Sequence, residues 1–574
     1  MSFDAQFMRD SQTNKQLETS NNLLSSSFVV SLMTFISRAL GMARDVVIAI
    51  TVGASGFADA FFVAFKIPQF LRRLFAEGAF SQAFVPVLSE YRQQYESNGN
   101  VAAVKSLINA VCGVLGGSLF MLVGLVVLAS PLVTMLFAPG FISQPEKFAM
   151  TEQMLRITFP YLLLISMTGF AGAILNSYDR FVVPAFTPVL LNLSLIGFAL
   201  FATPFFSVPV YALAWAVLFA GCMQLLFQLP FLRQLDRLPS PRWDTQHAGV
   251  KKIALLMVPA IFGVSVSQIN LLLDTVLASF LPTGSVSWLY YSDRLVELPL
   301  GVFGIAIATV ILPSLSRLQL QNIPMPSDVN ESAQRYFQTS AAQFRDTLEW
   351  ALRAITIVAI PATAGLWLLA TPILFTLFQY QSMTPVDVGM AAVSLQAYSL
   401  GLMAFMAIKV LATGFFSRQD MKTPVKVGII AMVANMVFNL IFVYLLHYYY
   451  QLGHVGLALA TSLSAWLNAA LLYRGLMKND ALLLVGSRDK PMRLLSENYW
   501  RLLLKIALAV VFMLFVLRQL LPKEQLWLTA SWLIRSGYLA SIIISGFISY
   551  CIVLWLTGVR IADFKPPAVI VWGD

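Results

Sequence analysis

The sequence predicts an all-α integral membrane protein with about 14 transmembrane helices, arranged as two pseudo-symmetric six-helix lobes plus two C-terminal helices. Three observations lead there. First, 58% of the 574 residues are hydrophobic and only 11% are charged, with a mean hydropathy of +0.75. A soluble chain carries about 25% charged residues, and one this apolar could not cover its own surface. Second, apolar stretches of about 20 residues, the length of one membrane-spanning helix, recur along nearly the whole chain. Third, the chain repeats itself at an offset of 227 to 241 residues, as set out below.

The elements follow in order. Residues 1–20 are polar, lack the apolar core of a signal peptide and read as a short disordered tail. Spans one to six occupy residues 21–238, the N-lobe. Spans seven to twelve occupy 239–480, the C-lobe, with a polar insertion at about 321–338. Residues 481–574 hold spans thirteen and fourteen and a C-terminal tail.

The connecting loops alternate in charge. One set carries Arg180; Arg233, Arg237, Arg242, Lys251 and Lys252; Arg317, Arg335 and Arg345; Arg418, Lys422 and Lys426; and Arg474, Lys478, Arg488, Lys490 and Arg493. The other set has few basic residues, among them Lys147, Arg518 and Lys523. Basic loops stay cytoplasmic, so both termini are expected in the cytoplasm. That requires an even number of spans and favours fourteen over thirteen.

The repeat rests on three anchors. AFVPVLSEY around Pro86 corresponds to TVILPSLSRL around Pro313, LASPLVTMLF around Pro131 to LATPILFTLF around Pro372, and SYDRFVVP ending at Pro184 to SRQDMKTP ending at Pro424. Parallel repeats of this kind occur in secondary transporters, with the substrate site between the halves.

Several function classes drop out. Cys112, Cys222 and Cys551 lie far apart in apolar stretches, neither a disulfide framework nor a metal-ligand pattern. His247, His447 and His454 form no cluster, and no GxxxxGK[ST] phosphate loop is present. The net charge of +10 sits in alternate loops, which argues for membrane topology and against nucleic acid. No catalytic constellation emerges, so the chain reads as a transporter and not an enzyme.

Charged side chains inside spans cost about 2.5–3.5 kcal/mol each by insertion scales and usually mark function. The first span carries Arg38 near its middle, then Arg44 and Asp45, with Arg38 and Asp45 on one helix face. In the second, Asp59 and Lys66 share a face. Pro68 interrupts the helix, and Arg73 and Glu77 at i,i+4 can neutralise one another. Arg72 is then left as the better candidate for binding substrate. The eighth span carries Asp293, Arg294 and Glu297 just before Pro299, with Arg294 and Glu297 able to pair at i,i+3. Arginine keeps its charge when desolvated and grips phosphate oxygens with a planar fork, so such a set suits an anion such as pyrophosphate. The alternatives are snorkelling to the interface for Lys66 and Arg73 and a structural pairing of Arg294 with Glu297. Asp274 in the seventh span, with Asn435 and Asn439 at i,i+4 in the eleventh, could supply oxygen ligands to Na⁺ as a coupling ion. Interhelical amide hydrogen bonds are the competing reading for the asparagines.

Two long motifs carry a resemblance. SRALGMARDVVIAITVGASGFADAFFVAFKIPQFLRRLFAEGAFSQAFVPVLSEY and GSVSWLYYSDRLVELPLGVFGIAIATVILPSLS closely resemble the MurJ (MviN) family of lipid II flippases, within the multidrug/oligosaccharidyl-lipid/polysaccharide exporter superfamily. The resemblance implies two six-helix lobes with two extra C-terminal helices bordering a groove for a lipid tail. It implies outward movement, by alternating access, of the undecaprenyl-pyrophosphate-linked peptidoglycan precursor across the bacterial cytoplasmic (inner) membrane. Partners would then be lipid II, membrane lipids and cell-wall synthesis proteins. It further implies that Arg38, Arg44, Arg72 and Arg294 line the central cavity and meet the pyrophosphate, and that Asp59 and Glu77 are functional. Some members have a Na⁺ site on the seventh, eleventh and twelfth spans. Asp274 fits it, but Asn439 stands where those members place a carboxylate. A multidrug or cation antiporter of the same superfamily is the alternative and would need acidic cavity walls. A non-transporting scaffold for cell-wall enzymes would need no charges inside its spans.

Overall fold

In hydrocarbon the backbone must satisfy its own hydrogen bonds, and an apolar run can do so only by coiling into a helix. The computed structural model describes residues 32–73, 80–96, 98–320, 331–478 and 494–560. Every regular element among them is helical. Eleven stretches of the described residues are long and apolar enough to cross a membrane. The expected first, second and seventh spans are not among those eleven, although each is helical. Helix α1 (residues 32–52) carries Arg38, Arg44 and Asp45, α2 (Gly56–Arg72) is 17 residues long with Asp59, Lys66 and Arg72, and α10 (Ala248–Ser279) has mid-helix side chains outside the described set. The polar tail at 1–20, all of 481–493 and residues 561–574 also lie outside the described residues.

The chain divides into two compact units, Met1–Phe280 and Leu281–Asp574. In the first, α1 and α2 are followed by α3 (Phe80–Tyr91), α4 (Val101–Leu128), α5 (Ser130–Phe137), α6 (Pro145–Thr158), α7 (Tyr161–Ser177), α8 (Val182–Gly197), α9 (Val210–Gln234) and α10. Helix α7 packs on α9, α8 on α9, α2 on α6, and α10 on α3. Phe80 and Phe84 stack at 5.2 Å, and the Phe170 ring meets Phe84 at 5.2 Å, at the centre of an apolar cluster drawn from α3, α4, α7 and α10. By packing, α10 thus joins the first unit, whereas the repeat assigns the seventh span to the second half.

The second unit comprises α11 (Ser285–Pro299), α12 (Ile305–Leu320), α13 (Glu331–Phe378), α14 (Pro385–Ser399), α15 (Leu402–Phe416), α16 (Lys422–Tyr450), α17 (Gly453–Lys478), α18 (Glu497–Leu520), the short α19 (Glu524–Thr529) and α20 (Trp532–Leu556). Residues 321–330 of the expected insertion lie outside the described residues, but from Glu331 the backbone is already the first part of the 48-residue α13. The stretch ESAQRYFQTSAAQF is rich in good helix formers, so it extends the span's own helix where a loop was expected.

The repeat is visible in the backbone. Arg180 N–H donates to the Leu175 carbonyl at 2.9 Å, and Asp420 N–H donates to the Phe415 carbonyl at 3.1 Å. Between them Asp179 (φ 61°) and Gln419 (φ 58°) take the same left-handed conformation. Both close their helix with an αL residue that turns the chain toward the next helix.

Candidate functional site

Within the first unit, the charges of α1 divide into two kinds. Arg44 and Asp45 are buried, 7% and 1% exposed. Arg44 Nη2 and Nε reach one Asp45 oxygen at 2.6 and 2.9 Å, and Nη1 donates to Asn192 Oδ1 at 3.1 Å. Asn192 in α8 returns its amide hydrogen to the Ser37 carbonyl at 2.9 Å. Asp45 is therefore paired with its neighbour Arg44. Helix α1 runs unbroken past Gly41, so Arg38, seven residues before Asp45, lies on the same helix face as that carboxylate. Arg38 is half-buried and forms no ion pair or hydrogen bond among the described residues.

On α2, Asp59 is 1% exposed and paired with Lys147 Nζ of α6 at 2.9 Å. Lys147 also lies 4.1 Å from the centre of the Phe141 ring. Asp59 thus faces α6 in this conformation. Lys66 donates to Thr275 Oγ1 of α10 at 3.4 Å. Arg72 and Arg73 are half-buried at the end of α2. Glu77, and with it the expected Arg73–Glu77 pair, lies outside the described residues. Asp274 is half-buried on α10, beside Thr275.

Within the second unit, Arg294 Nη1 and Glu297 Oε2 form the expected i,i+3 pair at 2.6 Å, and the guanidinium lies 4.9 Å from the Tyr290 ring centre. Both side chains keep solvent access, 25% and 43% exposed, so this pair can open toward a ligand at little desolvation cost. Asn435 and Asn439 are fully buried. Asn439 donates to Asn435 Oδ1 at 2.9 Å, and Asn435 donates to Ser464 Oγ of α17 at 3.2 Å. The second of these bonds crosses between helices, and the first lies within α16. No group of three or more His, Cys, Asp or Glu able to hold a metal occurs among the described residues.

Sequence reasoning missed two partners. Asn192 stood unremarked in the apolar run PVLLNLSLIG, where an amide is itself a signal. By sequence Lys147 reads as one of the few basic residues of the second loop set, whereas the structure makes it the buried counter-ion of Asp59.

Each unit taken by itself carries partly buried arginine, the residue type that suits an anion, and the comparisons with known proteins bear on which. The model for the family described as lipid II flippase MurJ matches residues 48–537. The chain belongs to the MurJ family. A probable lipid II flippase MurJ of Vibrio cholerae serotype O1 is 46% identical over 557 residues, spanning 96% of this chain and 99% of that protein. A solved lipid II flippase MurJ in an inward closed conformation superposes with a TM-score of 0.72 at 26% identity, covering 92% of this chain and 98% of that one. An inward-facing multidrug resistance MATE transporter of the MOP superfamily superposes with a TM-score of 0.56 at 14% identity, over 78% of this chain and 97% of that one. That likeness is one of fold alone. The match at residues 48–537 extends over both units and includes Arg72 and the Arg294 pair, while Arg38 and Arg44 precede it.

Proposed function

We propose that this chain moves lipid II from the cytoplasmic to the periplasmic leaflet of the bacterial inner membrane by alternating access. The observation that carries this reading is Arg38, a cation inside the first span without a counter-ion among the described residues, in a chain of the MurJ family. A cation held in a span at such cost is well used on a ligand that brings the opposite charge. Arg72 and Arg294 are proposed to join it on the pyrophosphate, where the guanidinium fork matches phosphate oxygens. Arg294 exchanges Glu297 for the ligand. Arg44 acts indirectly, holding α1 against α8 through Asp45 and Asn192.

The chain is further proposed to place both termini in the cytoplasm, as the alternating loop charge requires. The asparagines of α16 are read as helix fasteners, so transport is expected to proceed equally in Na⁺ and K⁺ buffers. Lipid II translocation in reconstituted vesicles tests the reading, comparing wild type with Arg38→Ala, Arg72→Ala and Arg294→Ala. Slowed flipping in these variants supports the pyrophosphate contact, and unchanged flipping in all three removes it. Movement of a cationic dye without movement of lipid II would transfer the protein to the antiporter class.

A further inference from the structure

The first turn of α2 and the first turn of α11 are fastened in the same way by different chemistry. Asp59 is the fourth residue of α2, and Trp288 is the fourth residue of α11. Each meets the third residue of the helix packed against it. Lys147 is the third residue of α6 and holds Asp59 at 2.9 Å. Asp387 is the third residue of α14 and accepts the Trp288 indole N–H at 2.9 Å. Helices α6 and α14 both begin with proline, Pro145 and Pro385, 240 residues apart like the αL pair Asp179 and Gln419. The two fasteners therefore occupy the same place in the two halves of the repeat. A second bond follows each one down the same helix pair. Thr158 Oγ1 donates to the Ala64 carbonyl at 3.1 Å, and Ser292 Oγ donates to the Ala391 carbonyl at 2.7 Å.

The first-unit fastener is costly for its position. Lys147 puts a positive charge in the first turn of a helix, the end that favours negative charge, and both partners are buried. Its counterpart needs no ion pair, because Asp387 is already the acidic partner of a capping box with Thr384 and receives the indole as an extra donor. Where one half uses a carboxylate already held by a helix cap and the other a desolvated ion pair, geometry at that end of α2 is being held tightly. Helix α2 carries Lys66 and Arg72, and α11 carries Arg294 and Glu297. A tie in the first turn sets the rotation and axial position of everything further along a rigid helix, and about 1 Å of misplacement can cost about 100-fold in rate.

We propose that Lys147 and Trp288 are positioning residues for transport, each fixing the register of a functional helix through one bond, Lys147 to Asp59 and Trp288 to Asp387. This rests on the flippase reading. The test measures lipid II flipping and lipid II affinity for folded, monodisperse variants in vesicles. Lys147→Ala and Asp59→Ala each slow flipping by about tenfold or more, and the double variant is no slower than Asp59→Ala alone, because the bond from Lys147 is already lost there. The exchanged pair, Asp59→Lys with Lys147→Asp, returns the rate to within about threefold of wild type, and Lys147→Arg does the same, since the buried pair is rebuilt. Trp288→Phe keeps an aromatic ring beside His454, whose ring lies tilted 4.8 Å from that of Trp288, but removes the donor, and flipping falls by about threefold on loss of one hydrogen bond. Wild-type flipping by Lys147→Ala, or an exchanged pair as slow as the single variants, overturns the proposal. The second outcome would mean that Asp59 acts through its own charge. Should wild-type protein move no lipid II, the flippase reading falls. The pair is then judged by thermal unfolding of the same variants, where additive effects of the two alanines overturn it.

Discussion

Arg38 and Arg44 stand six residues apart on one helix in opposite electrostatic situations. Arg44 is enclosed with Asp45 and bonded to Asn192, whereas Arg38 has no such partner among the described residues. Removing one member of a buried pair leaves the other charge desolvated, which costs about 3–5 kcal/mol. Arg44→Ala is therefore expected to lower the unfolding midpoint sharply in detergent. Arg38→Ala is expected to change stability by less than about 0.5 kcal/mol while slowing transport. Thermal unfolding set beside flipping rates separates the two, and equal destabilisation by both variants would show that Arg38 is structural. Some of this chemistry could be read directly. The Arg294–Glu297 and Asn435–Asn439 pairs follow from helical spacing alone, because residues three and four apart share a face wherever the helix goes. The partners of Arg44 and Asp59, separated from them by 148 and 88 residues, depend on which helices pack together, and no local rule names them.

At the scale of elements, α13 organises the second unit. Within its first half, Glu349 accepts from Arg353 at 2.6 Å and from both Ser496 N–H and Oγ–H, which pins the beginning of α18. Further along, the Tyr550 hydroxyl of α20 donates to the Ile357 carbonyl at 2.7 Å. At its C-terminal end, Arg535 of α20 is 6% exposed and donates to the carbonyls of Phe375, Gln379, Leu528 and Ala530 and to Gln379 Oε1. A cation at a helix C-terminus meets the negative end of the dipole and its unpaired carbonyls. Arg535→Ala should destabilise the protein by about 3 kcal/mol, since several charge-assisted bonds are lost and the carbonyls stay buried. Faster protease cleavage in the 521–531 connection would report it, and unaltered cleavage would count against the bond set. Arg535→Lys should recover only part, having three donors on a single nitrogen. In the first unit, a Cβ on Gly113 of α4 would collide with the Arg242 backbone, which donates to the Asn109 carbonyl at 3.0 Å. Gly113→Ala should cost about 1–3 kcal/mol by forcing that segment off α4, measurable as a lowered unfolding midpoint.

For the molecule as a whole, loop charge and substrate charge make linked predictions. Single cysteines at positions 10 and 570 should react with an impermeant thiol reagent only from the cytoplasmic side. Reaction from the outside would invert the topology and, with it, the direction of transport. Carrying an anionic headgroup outward is favoured by about 2.3 kcal/mol per charge per 100 mV of inside-negative potential. Polarised vesicles should therefore accumulate lipid II in the outer leaflet more than tenfold over unpolarised ones for each net charge moved. An unchanged leaflet ratio would mean that a cation accompanies the headgroup. By itself the sequence determined the all-helical membrane class, the two-part repeat, the motifs of the MurJ family and the pairs within single helices. These depend on residue hydropathy, helical spacing and extended identity, which are properties of the linear chain. Only the tertiary structure decided that α10 packs with the first unit, that Asn192 holds Arg44, and that Lys147 closes on Asp59. Those choices depend on which helix faces meet, and a buried charge takes as its counter-ion whatever group packing brings within hydrogen-bonding distance.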